Sequence, residues 1–344
     1  MEPMRAAELL IEKIKKDYRD DVSLVVIMGS TVFNDTHSRS DLDMYFVPKT
    51  KRGEALGFVC IIGGVGYDFW ALPWERLERI AAHEERITSI VTDGQVLYYG
   101  DECDITRFND LKRRALDTGD ERKFLEKAQN KLSEAYRDYA SLLTAPSLPE
   151  ARYAAIGVVF AVTNAIALLN RTMIRRGRGK LKGEILAMPL VPEGFEKDYD
   201  TVFISSDTGL IRMACGALIE STDKLILSQT QEHRPFAEAL KDFYEELINF
   251  YNKIYHAAEI GDAYTALFAG VEIRHEMEWA FEGTGVSQDA LPNLLAAYSP
   301  DNLTAYAEAA RTHQLKFEEL LAEKGVPVRR FQDSSELEEF MRKI

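Results

Sequence analysis

Residues 5–18 place Ala6, Leu9, Leu10, Ile14 and Tyr18 at helical spacing, which predicts an amphipathic helix at the start of the chain. Residues 22–28 follow as a short, almost wholly apolar run rich in valine. It ends at Gly29-Ser30, the pattern of a buried strand entering a turn. Residues 41–47 alternate and are β-rich, giving a second strand that Pro48 ends. Residues 58–62 and 67–72 flank Gly63-Gly64 and read as a hairpin or bulged pair. Pro73 opens a helix over WERLERIAAHEE, since proline suits the first helical turn. Residues 87–99, with Asp93-Gly94 before QVLYY, read as one more strand reached through a turn.

Beyond about residue 110 the period changes. Segments 121–143, 151–176, 208–228, 235–260, 262–283, 287–298, 301–324 and 334–343 all repeat their apolar positions at helical spacing. The fold class is therefore α+β, an N-terminal mixed-sheet domain over 1–115 followed by an all-α domain over 116–344. No Gly/Ser linker, internal repeat or low-complexity tract marks the junction.

Composition narrows the class. With 344 residues, 46% hydrophobic and 28% charged, the chain suits two folded domains and is not a disordered segment. A net charge of -14 repels nucleic acid unless cations gather locally, and it suits a cationic small molecule better. Three cysteines, Cys60, Cys103 and Cys215, are widely spaced and make neither a C-x-x-C pair nor a disulfide framework, which fits a reducing cytoplasm. The N-terminal stretch lacks the uninterrupted apolar run of a signal peptide. The apolar residues 154–169 fall short of the roughly 20 that span a bilayer, so they read as a buried helix and no membrane partner is expected.

The chemistry concentrates in VVIMGSTVFNDTHSRSDLDMYFV. Gly29 and Ser30 end one strand, ten residues intervene, and Asp41 and Asp43 sit two apart on the next. On a strand that spacing puts both carboxylates on one face while Leu42 and Met44 enter the core. Like charges about 4 Å apart cost roughly 4 kcal/mol at an effective dielectric near 20, so a cation is expected to offset them. Oxygen donors of this type select hard cations such as magnesium. Asp68, an acid inside the otherwise apolar GYDFWALP, is the candidate third carboxylate for a two-metal site. Glycine lets backbone N–H groups approach an anion and serine adds a hydroxyl, so Gly29 and Ser30 are candidates to hold a triphosphate. Thr31, Ser38 and Ser40 read as turn and cap residues.

These residues together resemble the signature of the polymerase-β-like nucleotidyltransferase superfamily, and among its members the bacterial antibiotic nucleotidyltransferases that act on aminoglycosides or lincosamides. The resemblance covers residues 20–80. It implies a mixed sheet with helices on one side, followed by a helical domain. It also implies magnesium, two ions, on Asp41, Asp43 and Asp68, and nucleotide phosphates on Gly29 and Ser30. The implied reaction transfers a nucleoside monophosphate, AMP from ATP or another NTP, to a hydroxyl of a small-molecule acceptor, antibiotics among them. Nucleotidylation of a protein or a tRNA end, and a non-catalytic nucleotide-binding interaction protein, are the alternatives.

Further along, Arg171, Arg175, Arg176, Arg178, Lys180 and Lys182 cluster in LLNRTMIRRGRGKLKGE. They read equally as a cradle for phosphate or as a basic helix end favoured by the helix dipole, with Lys180 and Lys182 the phosphate candidates because they follow the glycine turn. Arg274-His275, with Glu276 and Glu278, reads as a surface face, and His83, His233 and His256 have no partner at ligand spacing. An acceptor hydroxyl needs a base. Asp68 is the first candidate, followed by Glu134 and Glu150. Tyr136, Tyr153, Glu134 and Glu150 are expected to face the acceptor.

Overall fold

A computed structural model describes residues 3–36, 40–230 and 234–343. Ser38 and His233 lie outside them. The chain forms two compact units, Met1–Thr230 and Gln231–Ile344.

The first unit begins with helix α1 (Pro3–Asp17), strand β1 (Val22–Ile27), a 3-10 turn over Gly29–Thr31, strand β2 (Asp43–Pro48) and the single turn α2 (Lys51–Glu54). Strands β3 (Phe58–Ile62) and β4 (Val65–Ala71), helices α3 (Trp74–Ala81) and α4 (Ser89–Thr92), strand β5 (Gln95–Tyr99) and helix α5 (Glu102–Leu116) complete the mixed part. The sheet runs β3-β4-β2-β1-β5. All pairings are antiparallel except β2 with β4, which is parallel.

Strand β1 is buried on both faces, as expected of the run VSLVVI, apolar except for Ser23. Leu24 and Val26 join Tyr45, Leu77, Ile80, Phe108 and Leu111 under α3 and α5. Val25 and Ile27 join Met44, Phe46 and Phe69 under Leu10 and Ile14 of α1. Val22 has the parity of Leu24 yet packs with the α1 side, because the register of β1 against β2 shifts between Val22 and Leu24. The sheet is thus covered on both faces and not, as the resemblance implied, on one.

Within 87–99 the strand expected at QVLYY is β5, reached through the turn at Asp93-Gly94, and the residues just before that turn form α4. Gly94 separates the two where a Cβ would meet the Ile90 carbonyl oxygen at 2.3 Å.

The rest of this unit is helical: α6 (Glu121–Leu143), α7 (Leu148–Leu169), α8 (Leu181–Leu186), α9 (Phe195–Ile204) and α10 (Thr208–Thr230). The change from mixed to helical character comes where the apolar period changes, at α5 and α6, but compactness keeps α6 to α10 with the sheet and places the break after Thr230. Helix α7 is long and apolar enough to cross a bilayer by length and composition, yet it is mostly buried at the centre of the bundle. It stops short of the expected residue 176 because Asn170 donates to the carbonyls of Ile166 and Leu190 and accepts from Leu190 N–H at 2.8 Å. That side chain closes the helix and turns the chain toward the basic segment.

The second unit holds α11 (Phe236–Ala239), α12 (Phe243–Ile260), α13 (Ala263–Phe281), α14 (Leu303–Glu323) and α15 (Ser334–Met341). Residues 287–298, expected to be helical, make only two 3-10 turns. Its core is aromatic, with Tyr244, Tyr251, Tyr306 and Phe317 buried together.

Candidate active site

The end of β1 and the start of β2 build the first wall of a cleft of about 960 Å³ within the first unit. Met28 N–H donates to the Asp43 carbonyl at 2.9 Å, and the chain then turns at Gly29 with φ +69°. A side chain is excluded there twice over: the backbone is left-handed, and a Cβ would lie 2.0 Å from Asp43 Oδ2. Gly29 and Ser30 line the cleft together with Asp41 and Asp43.

Strand β2 starts at Asp43, so Asp41 precedes it and does not occupy a strand position. Leu42 and Met44 are nevertheless buried in the core under α1, so the alternation of the D-x-D segment holds. Asp68 stands beside Asp43 in the parallel register of β4 against β2. It is exposed and lines a shallow depression shared with Asp41, next to the main cleft.

Half-burial and then the charge of Asp41 raise the Asp43 carboxyl above its ordinary value; Arg178 pulls it down and Asp68 adds to the rise. The three carboxylates thus share one electrostatic field. They do not converge as tightly as the trio Asp101, Cys103 and Asp104, whose ligand atoms all lie within 4.8 Å of one another. In that trio Lys49 already bridges Asp101 and Asp104, at 3.0 and 2.8 Å.

The opposite wall is the loop between α7 and α8. The N–H groups of Arg175, Arg176 and Gly177 each donate to the Glu184 carboxylate at 2.7 Å. Three charge-assisted bonds hold Gly177 at φ +57° and Arg178 at φ +43°, conformations that need such support. Arg175 pairs with Asp93 at 3.2 Å, Arg176 pairs with Asp35 and lies over the Phe33 ring, and Lys180 approaches Asp35 at 3.8 Å. Arg178 has no such ion pair among the described residues and acts on Asp43 through its charge.

Of the two lysines singled out from the sequence, Lys180 lines the cleft. Lys182 does not: it pairs with Asp200 at 2.8 Å and Glu196 at 3.0 Å, on the side of α9. Position after the glycine turn was a poor guide, because α8 begins at Leu181 and carries Lys182 round toward α9.

The residues expected to face an acceptor are elsewhere too. Glu134 pairs with Lys131 at 2.8 Å, Tyr136 stands near Asp223 and Glu220 of α10, Tyr153 is 86% exposed, and Glu150 lies at the exposed start of α7. Ser89, Ile90 and Asp93 take that wall instead. The Asp93-Gly94 pair was legible only as a turn.

His83 is buried, and its Nε2–H donates to the Ala115 carbonyl at 2.8 Å. Burial lowers its pKa, so it is a neutral tie between the end of α5 and the segment after α3. Arg274 pairs with Glu278 on the surface of α13.

A glycine turn against an acidic strand edge thus faces a basic helical loop across one cleft. Residues 105–232 match the family model of the KNTase C-terminal domain, that of kanamycin nucleotidyltransferase. That stretch runs from α5 to the end of the first unit and includes the basic loop. The match makes this helical stretch similar to the C-terminal domain of kanamycin nucleotidyltransferase and supports a nucleotidyltransferase. It is also similar to a solved nucleotidyltransferase-like protein from Exiguobacterium sibiricum 255-15, at 11% identity over 65% of this chain and 75% of that one, with a TM-score of 0.38. No curated protein matches it.

Proposed function

We propose that the cleft binds a nucleoside triphosphate, ATP in the first instance, with magnesium, and transfers its nucleoside monophosphate to a hydroxyl of a small-molecule acceptor. The observation that carries this reading is the opposition of Asp41 and Asp43 on one wall to Arg178 on the other, across a single cleft that also holds Gly29 and Ser30.

The donor set fits a hard cation. Asp41, Asp43 and Asp68 offer only oxygen, and burial first, then the charges of Asp41 and Asp68, raise the Asp43 carboxyl, a cost that a divalent ion would offset. Those three residues would hold magnesium, which when bound polarises phosphoryl oxygens and neutralises the charge that develops on them.

The chain's own groups do the rest. Gly29 leaves the room that the Asp43 carboxylate occupies at the cleft edge, and Ser30 supplies a hydroxyl donor. Arg178 and Lys180 meet the phosphates from the far wall, where fixed cations stabilise the charge of the transferring group. The acceptor oxygen forms a bond to the α-phosphorus as the bond to the departing pyrophosphate breaks. The hydroxyl proton passes to an exposed carboxylate of the acidic edge, Asp68 or Asp41.

An aminoglycoside or lincosamide acceptor rests on the resemblance and on the name of the matched family. The cleft lining adds no support for a polycation, since Arg175, Arg176, Arg178 and Lys180 balance Asp35, Asp41, Asp43 and Asp93 in number.

The test is incubation of the purified chain with α-labelled ATP, magnesium and hydroxyl-bearing acceptors, followed by detection of pyrophosphate and a labelled product. Pyrophosphate release that survives Asp43→Asn would sink the assignment.

A further inference from the structure

Behind the basic loop lies a second chamber of about 210 Å³, bounded by α7, the segment before α4 and the loop itself. It shares Ser89 and residues 175–178 with the main cleft, so the two spaces are neighbours across one partition. Its volume is below the roughly 300–1,000 Å³ of drug-sized ligand pockets, enough for one ring with its substituents and too little for a multi-ring antibiotic.

The charge of this chamber is one-sided. Arg86, Arg175, Arg176 and Arg178 line it, and no carboxylate does. Arg175 and Arg176 are drawn to Asp93 and Asp35 on the far side of the partition. Arg86 has no carboxylate within 4 Å among the described residues; its guanidinium lies over the Phe160 ring, 4.1 Å from the centroid. Arg86 is exposed, so its N–H edge is open to a ligand while its face rests on the ring. Asn164, buried beside Phe160, anchors its amide by donating to the Phe160 carbonyl at 2.7 Å. In a chain of net charge -14, two arginines without an ion pair among the described residues, Arg86 and Arg178, meet at this one chamber, where an anion would be favoured.

We infer that this chamber is the acceptor subsite and that the acceptor is a small hydroxyl compound bearing an anionic group, a phosphate or a carboxylate, held by Arg86 and the Phe160 face. This rests on the reading of the main cleft as the nucleotide site. It departs from the cationic acceptor that overall acidity suggested, because recognition follows the charges lining the chamber and not the sum over the chain.

The test is calorimetric titration at low ionic strength. The wild-type chain, Arg86→Lys and Arg86→Glu are each titrated with magnesium and α,β-methylene-ATP, an analogue that cannot release pyrophosphate. The saturated proteins are then titrated with glucose 6-phosphate and, separately, with the polycation neomycin. Glucose 6-phosphate is expected to bind wild type and Arg86→Lys and to lose about tenfold or more in affinity to Arg86→Glu, a change of about 1.4 kcal/mol or more. The analogue should bind all three within about twofold, and neomycin should not bind wild type.

The inference is overturned if glucose 6-phosphate fails to bind wild type or binds Arg86→Glu equally well. Binding of neomycin overturns it too, as does a fall in analogue affinity in Arg86→Glu, since that would give the chamber to the nucleotide. Should the analogue bind none of the proteins, the reading of the main cleft fails instead. The same glucose 6-phosphate titration on the free proteins then still decides the chamber.

Discussion

Gly29 and Asp43 are packed so closely that a Cβ on the glycine would fall 2.0 Å from Asp43 Oδ2. The turn that ends β1 and the acid that begins β2 therefore form one unit, joined by the hydrogen bond from Met28 N–H to the Asp43 carbonyl.

Gly29→Ala is expected to be disruptive in two ways. A left-handed backbone costs an alanine about 1–2 kcal/mol, and the methyl group must also push the Asp43 carboxylate from its place. Thermal unfolding should show a lower Tm, and the rise in Tm on adding ATP with magnesium should disappear. A variant that keeps the full ligand-induced rise would show that Asp43 can be displaced without consequence.

Asp43 also has a pH signature. Its carboxyl lies above the ordinary 3.8 in the folded chain, first because of burial and second because of Asp41. A raised folded-state value favours folding where the group is protonated, fully below the unfolded value, and this contribution is lost as pH rises through the folded one. At pH 7 the ionised carboxylate opposes folding. In chelator, Asp43→Asn should therefore have the higher Tm near neutrality, with the gap to wild type closing as pH falls below about 4. A lower Tm for the variant at pH 7 would mean that hydrogen bonds to the ionised form outweigh the repulsion.

The basic residues should separate by position. Arg178→Ala is expected to weaken binding of ATP with magnesium by about 1.5–3 kcal/mol, the scale of a hydrogen bond to a charged group. Lys182→Ala should leave that affinity unchanged, because Lys182 is engaged by Asp200 and Glu196 outside the cleft. Titration calorimetry on the two variants decides the matter, and equal losses would contradict the geometry.

Glu184 touches no ligand in this scheme, yet it holds the N–H groups of Arg175, Arg176 and Gly177. Glu184→Gln keeps the shape and removes the charge. Without that charge the loop should loosen, and amide exchange at residues 175–178 should accelerate. The KM for ATP should rise more than kcat falls, because a positioning residue acts here through binding. Unchanged exchange in the loop would remove this role.

In the second unit, Tyr251 Oη and His313 Nδ1 lie 2.7 Å apart in the buried core. Burial lowers the His313 pKa to about 4, from an ordinary 6.5. A depressed value contributes stability that is present above the unfolded pKa and lost as pH falls toward the folded one. Between pH 6.5 and 4 the unit should lose up to about 3 kcal/mol from this group, if the full shift is realised. Denaturant titrations of wild type and His313→Gln should show a flatter pH dependence in the variant; parallel curves would place the acid lability elsewhere.

The sequence by itself determined most of the elements and the acidic edge, though not the ends of α7 and β2 or the turns of 287–298. Apolar period distinguishes β1 from α6 without knowledge of any neighbour, because alternation and helical spacing are local properties of the backbone. The Gly29-Ser30 turn and the D-x-D segment were legible for the same reason, since each depends on residues adjacent in the chain. Leu42 and Met44 went into the core as their parity required.

What the tertiary structure alone decided is which cations face those carboxylates. Arg178 and Lys182 are four positions apart and chemically alike, yet one acts on Asp43 and the other pairs with α9. The difference arises where Asn170 ends α7, where Glu184 gathers three N–H groups, and where α8 restarts at Leu181. Each of those contacts joins residues distant in sequence or sets a backbone direction. No local pattern encodes them. The compact boundary after Thr230 has the same origin: helical character begins near residue 102, but which helices share a core is settled by packing between segments far apart along the chain.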